Sequence, residues 1–242
     1  MVRGFAWKGV TGSFERGPGS SIKTTGKGGH FHRIFVGTGH IPHEHRIERG
    51  AGTLAALIAI FGILLATILD PSFRWTVDAL SDLGVRAGSA LVFNGALILA
   101  GALGIIYAVG LLGTASTRRR LVIASSFGLA SLSLAGVGLF VIGHPWHAPA
   151  AIGFYLLATV SMLLDGVDRR AQLTGRITLA LAVTQILVWS TWGLSLWPGS
   201  GLALPEFAGA VIVVLWILAT GPLPTIVPLI DQGGSDDESQ WN

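Results

Sequence analysis

The sequence predicts an all-α protein, a polytopic transmembrane bundle of six helices with both termini in the cytoplasm. Three observations carry that expectation. Six long blocks hold no charged residue: 54–69, 87–117, 121–142, 148–164, 177–204 and 207–230. A bilayer hydrocarbon core about 30 Å thick needs about 20 apolar residues as helix to cross it. The whole chain of 242 residues is 51% hydrophobic and only 12% charged, with a mean hydropathy of +0.65. A soluble domain carries roughly twice that share of charge, and one soluble core has no room for so many helices that are apolar all round. Lastly, the basic residues alternate in position. The N-terminal tail, the 2–3 connection (Arg118, Arg119, Arg120) and the 4–5 connection (Arg169, Arg170, Arg176) hold fourteen of the sixteen, and only Arg74 and Arg86 fall on the other side. The positive-inside rule then places the arginine-rich side, and both termini, in the cytoplasm of a cell-membrane protein.

The elements follow in order. Residues 1–49 are rich in Gly, Ser, Thr, His and basic side chains and lack an apolar period. They read as a disordered cytoplasmic tail without the apolar core of a secretory signal. Its histidines His30, His32, His40, His43 and His45 have no spacing that closes a metal site. Helix 1 is expected over about 50–69, ended by Asp70-Pro71. The following loop, 70–86, holds a short amphipathic helix over 73–83. Helix 2 covers about 88–112, helix 3 about 121–142, helix 4 about 149–165 and helix 5 about 177–197. Helix 6 starts near Pro205, a residue suited to a first helical turn, and weakens at Gly221-Pro222, with Pro224 and Pro228 opposing a straight continuation. The six-helix domain therefore spans 50–230, and residues 231–242 form a short acidic tail. Trp75, Trp146 and Trp197 fall at the outer boundary, as interfacial aromatic residues do. Small residues at close spacing (Ala96, Ala100 and Gly104; Ala124, Gly128, Ser131 and Ala135) predict close helix packing.

Composition excludes several chemistries. The chain has no cysteine, which removes disulfides, thiolate metal sites, covalent haem attachment and a cysteine nucleophile. Lysine occurs only at Lys8, Lys23 and Lys27, so no membrane helix can carry a retinal Schiff base. The net charge of +3 is spread over tails and loops and indicates no nucleic-acid partner. Nothing in the sequence sets an oligomeric state; the partner it implies is the lipid bilayer.

Polar residues gather on the outer side. Asp70, Asp78, Asp82, His144, His147 and Glu206 come from three connections assigned to that face, whereas Asp165 and Asp168 lie on the inner side, Asp165 facing the headgroups beside Arg169. Asp78, Ser81 and Asp82 at i, i+3 and i+4 would share one helical face. They would there bind a cation or ligand, or else cap helix ends and pair with Arg86. His144 and His147 with Asp78 and Asp82 make a candidate zinc set, two imidazoles and two carboxylates. Glu206, in the first turn of helix 6, is a candidate general base or a side chain placed there by the helix dipole. Asn94 and Gln185, inside apolar helices, either hydrogen-bond neighbouring helices or contact a ligand.

The run Asp78-Ala79-Leu80-Ser81-Asp82-Leu83-Gly84-Val85, followed by Phe93-Asn94-Gly95-Ala96-Leu97 and Gly101, resembles the prokaryotic membrane family catalogued as domain of unknown function 998. That family carries a Ser-Asp-Leu-Gly element before its second helix, a Phe-Asn early within it, and a histidine-bearing loop after the third, which His144 to His147 match loosely. The resemblance covers about residues 50–230. It implies a six-helix membrane protein without an assigned activity, and places Ser81, Asp82 and Asn94 on the family's characteristic surface. A looser similarity to alkaline ceramidase-like membrane hydrolases rests on Ser, Asp and His near one face; the paired histidines of their final helix have no counterpart in helix 6.

The expectation is a multi-pass membrane protein with an outward-facing polar patch for a small ligand, ion or lipid headgroup. A metal-dependent membrane lipid hydrolase and a small-solute transporter are the alternatives.

Overall fold

In lipid, a helix satisfies its own backbone and buries small side chains against its neighbours, because its large aliphatic ones are already at home in hydrocarbon. That rule organises this molecule. The computed structural model describes the backbone of residues 44–220 and the side chains of residues 50–219. The expectations for most of the basic tail, for the acidic tail, and for Pro222, Pro224 and Pro228 lie outside the described residues.

Six helices occur among the described residues: α1 (Glu44–Leu69), α2 (Ala90–Gly113), α3 (Arg118–Leu139), α4 (His147–Asp168), α5 (Leu173–Gly193) and α6 (Ala203–Leu215). A short 3-10 helix, Leu80–Gly84, precedes α2, and one π-helical turn, Trp216–Thr220, continues α6. Five are long and apolar enough to span a membrane, with Gly50–Leu69 as the apolar part of α1, while the apolar segment Ala203–Ala219 is shorter. Each helix packs on the next, and α1 meets α6, so the six form a ring.

Small residues face inward. Ala56, Ala66, Ala100, Ala124, Ala130, Ala158 and Ala182 are buried, whereas Phe61, Ile68, Leu91, Leu129 and Leu132 are exposed, Leu91 to 87%. This size inversion is what a hydrocarbon solvent selects. The expected small-residue seams are real. A Cβ on Gly101 would lie 2.6 Å from the Ser131 carbonyl oxygen, and one on Gly104 would lie 2.5 Å from Ser131 Oγ, so α2 and α3 touch backbone to backbone.

Several boundaries differ from expectation, each for a local reason. The chain over 73–83 is not one amphipathic helix: it turns at 74–78, extends at Ala79 (φ −94°, ψ 154°) and only then forms the 3-10 helix. Helix 5 runs over Leu173–Gly193, four residues earlier at both ends than expected. Its start is set by Arg169, which pairs with Asp165 and donates to Thr174 Oγ1 at 3.1 Å. Its end is set by Ser195 in the left-handed region (φ 59°), with Leu196 N–H returning to the Thr191 carbonyl. Asp165 does not face headgroups. It is 2% exposed, paired with the Arg169 guanidinium, and accepts the Trp216 indole N–H at 3.0 Å. Three arginines open α3, against the helix dipole; the Thr117 hydroxyl caps that end and Asp168 answers Arg119 and Arg120 at 3.5 and 3.3 Å.

Candidate functional site

At the end of the ring opposite those arginines, the 1–2 and 5–6 connections are joined by backbone bonds. Gly201 N–H donates to the Thr76 carbonyl at 3.1 Å and Ala203 N–H to the Asp78 carbonyl at 3.0 Å. Gly199 (φ +82°) permits the approach, since a Cβ there would strike Thr76 backbone. Trp75 adds edge-on ring contacts to Phe73 and Phe207 at 5.4 and 5.2 Å.

Charges hold the 1–2 connection in shape. Arg86 donates to Asp70 Oδ2 at 2.9 Å and lies 3.3 Å from Asp78 Oδ2. Ser72 donates its hydroxyl and its N–H to Asp70 Oδ1, at 2.6 and 3.0 Å, and Arg74 N–H donates to Asp78 Oδ2 at 2.7 Å. The Ser72 hydroxyl foremost, then Arg86, holds the Asp70 carboxyl below its ordinary range. The Arg74 N–H, outweighing desolvation and aided by Arg86, does the same for Asp78. These pairs in turn raise the Arg86 guanidinium, Asp70 most of all.

The Ser-Asp-Leu-Gly element is fixed by its own set of hydrogen bonds. Asp82 Oδ2 takes the Ala79 N–H at 2.8 Å, Ser89 Oγ donates to the Leu83 carbonyl at 2.8 Å, and Asn94 Nδ2 donates to the Gly84 carbonyl at 2.8 Å. Glu206 Oε2 takes the Leu80 N–H at 2.6 Å. Leu80 and Leu83 sink among Ile63, Phe93, Leu97 and Ala210, so the 3-10 helix plugs the ring.

The shared helical face expected of Asp78, Ser81 and Asp82 therefore does not form, because Ala79 breaks the helix between them. Asp78 serves Arg74 and Arg86; Asp82 caps the 3-10 helix. His144 stacks on Phe140 (ring centroids 4.9 Å apart) and its Nδ1 accepts the Trp146 N–H at 3.2 Å. His147 Nδ1 meets the Phe140 carbonyl at 2.6 Å. Among the described residues, no three of the His, Asp and Glu side chains come together as an ion would need. Asn94 bonds the 3-10 helix where a helix–helix bond was expected, and its Oδ1 is buried without a partner. Gln185 also departs from expectation: it is fully buried, yet neither amide atom makes a hydrogen bond. Its Nε2 abuts the space that a side chain at Gly209 would fill, next to the Tyr155 ring.

Beneath the plug lies a cavity of about 80 Å³ that opens at its mouth. Five helices and the 3-10 helix line it, mostly with Ala, Leu, Val, Ile and Phe. Ser131 is polar but spends its hydroxyl on the Phe127 carbonyl at 3.0 Å. The other polar lining residues are Ser81, His147, Tyr155 and Glu206, and Tyr155 donates its hydroxyl to the Glu206 carbonyl at 2.9 Å. The wall is thus apolar, with polar groups at only a few places. Beyond it toward the arginines, Tyr107, Leu111, Ala124, Met162, Trp216 and their neighbours fill the bundle with apolar side chains.

Tyr155 was not among the residues singled out from sequence. Its signal was there: it is one of only two tyrosines in the chain, and a buried phenol in an apolar helix needs a partner. The cavity itself has no signature in sequence, since its lining residues read as ordinary helix packing.

No curated protein matches the chain, and neither does any solved structure. The family model described as "Protein of unknown function (DUF998)" matches residues 53–221. That match starts in α1, runs through the Ser81–Gly84 plug and the cavity-lining helices, and ends just past the π-helical turn. The chain is a multi-pass membrane protein belonging to the DUF998 family.

Proposed function

We propose that this protein binds an amphiphilic membrane molecule, with its hydrocarbon chain in the cavity and its polar head at the rim formed by Ser81, His147, Tyr155 and Glu206. One observation carries the reading: the polar lining residues left after Ser131 come from the 3-10 helix, the first half of α4 and the first turn of α6, while the rest of the wall is apolar. An amphiphile matches that division. A small hydrophilic solute would leave the wall unsolvated, and a pure hydrocarbon would leave Glu206 Oε1 without a partner. The rim faces away from the cytoplasm, as the basic residues of the opposite end require. The chain has no cysteine, so single cysteines at Gly143 and Ala115 test this orientation: an impermeant maleimide added to intact cells labels the first and not the second, and the reverse pattern refutes it.

Binding is tested by releasing the full-length protein from nanodiscs into a mass spectrometer. Wild-type protein retains one amphiphile that survives activation, and Ala130→Phe, which fills the cavity from α3, loses it. Equal retention by the two proteins, or none by either, overturns the proposal.

A further inference from the structure

The rim also specifies the head of its ligand. The Phe140 carbonyl has only lone pairs to offer, so His147 Nδ1, at 2.6 Å, carries the proton of that bond. In neutral His147 the Nε2 is then a bare acceptor. Tyr155 already donates its hydroxyl hydrogen bond to the Glu206 carbonyl, leaving its phenolic oxygen only able to accept. Glu206 has committed Oε2 to Leu80 and has no hydrogen bond on Oε1. Ser81, whose hydroxyl can act either way, lines the same cavity. The cavity lining contains no lysine and no arginine. Arg86, on the neighbouring connection, is taken by Asp70 and Asp78.

The rim is thus rich in acceptors and poor in donors, with Glu206 as its carboxyl. A carboxylate or phosphate head would find only the Ser81 hydroxyl as donor. A hydroxyl head would bring one donor. A primary ammonium brings three N–H donors and a charge that favours the ionised form of the Glu206 carboxyl, and charge-assisted hydrogen bonds are the strong ones. We infer that the ligand is a long-chain primary amine, its ammonium held by Glu206 Oε1 and its alkyl chain lying in the cavity. This rests on the proposed function above, since it names the class of amphiphile.

A series of heads on one chain tests it. The full-length protein in zwitterionic nanodiscs is titrated with dodecylamine, 1-dodecanol and dodecanoate, with empty nanodiscs subtracted. Dodecylamine is expected to bind saturably and about tenfold or more tighter than 1-dodecanol, the worth of one charge-assisted contact, with dodecanoate weakest. Glu206→Gln keeps a carbonyl for Leu80 but removes the carboxylate; it should erase the preference for the amine over the alcohol. The inference is overturned if the alcohol or the carboxylate binds as well as the amine, or if a folded E206Q keeps the preference. The head series uses wild-type protein alone, so a poorly folded variant does not remove the test. Should none of the three bind saturably, the amphiphile reading falls as well; binding of all three with equal affinity overturns the amine assignment alone.

Discussion

Glu206 and Leu80 lie 126 residues apart, and the Glu206 carboxylate accepts the Leu80 backbone N–H at 2.6 Å. This bond pins the 3-10 plug to the first turn of α6 and leaves one carboxylate oxygen for the cavity. A backbone donor at a helix start has no partner within the helix, so the carboxylate supplies one where water is scarce. Glu206→Leu removes the acceptor and should lower stability by about 1.5–3 kcal/mol, the range for a hydrogen bond to a charged group. Glu206→Gln should cost less. Thermal unfolding of both variants in detergent checks this; equal and negligible shifts would show that the bond does not hold the plug.

The Asp70–Arg86–Asp78 cluster gives the plug region a defined pH dependence. Both carboxyls have an ordinary value of 3.8 and are held lower in the folded protein. A depressed folded value means that the stabilisation is complete above the unfolded value and is lost as pH falls through the folded one. Arg86→Gln should therefore destabilise the protein fully above about pH 5, where both carboxyls are ionised in either state, and progressively less below about pH 4. Unfolding midpoints for the two proteins across that interval measure the effect. A deficit that does not shrink on acidification would separate Arg86 from the titration of its partners.

The opposite end of the bundle offers an internal contrast between ion pairs. Asp165 is buried with Arg169 and Trp216, whereas Asp168 meets Arg119 and Arg120 near the surface, where both arginines are more than half exposed. Removing one member of a buried pair strands its partner's charge and costs about 3–5 kcal/mol, while surface pairs contribute about 0–1 kcal/mol. Asp165→Ala should thus unfold well before wild type, and Asp168→Ala close to it. Comparable melting of the two variants would refute the ranking.

The helices are legible in the sequence, because a span of apolar residues is a long-range, repetitive signal. The Ala96–Gly104 and Ala124–Ala135 patterns indicated close packing without a partner; Gly101 and Gly104 meet Ser131 of α3, whereas Ala96 meets Gly62 of α1. The 70–89 segment was legible only in its residues. A helical i, i+4 reading of Asp78 and Asp82 failed because each carboxylate found a nearby backbone N–H, Arg74 for one and Ala79 for the other, and those bonds bend the chain. Such competition between side chain and helix is what makes Asp poor in helix interiors. Glu206 was noticed as an acid near a helix start, but its partner 126 residues away has no local trace. Gln185 was expected to bridge helices, and nothing in sequence indicated that Tyr155 would turn to the Glu206 carbonyl and leave the amide alone.

The central claim is that a hydrocarbon chain occupies the interior of the ring. Photolabelling with a dodecylamine that carries a diazirine near its chain end tests it most directly, with labelled residues identified by peptide sequencing. The account predicts adducts on cavity residues such as Leu97, Ala130 and Val213, which 1-dodecanol or unlabelled dodecylamine in excess suppresses. Adducts confined to lipid-facing residues such as Leu91, Leu129 and Leu132, unaffected by competitor, would contradict it.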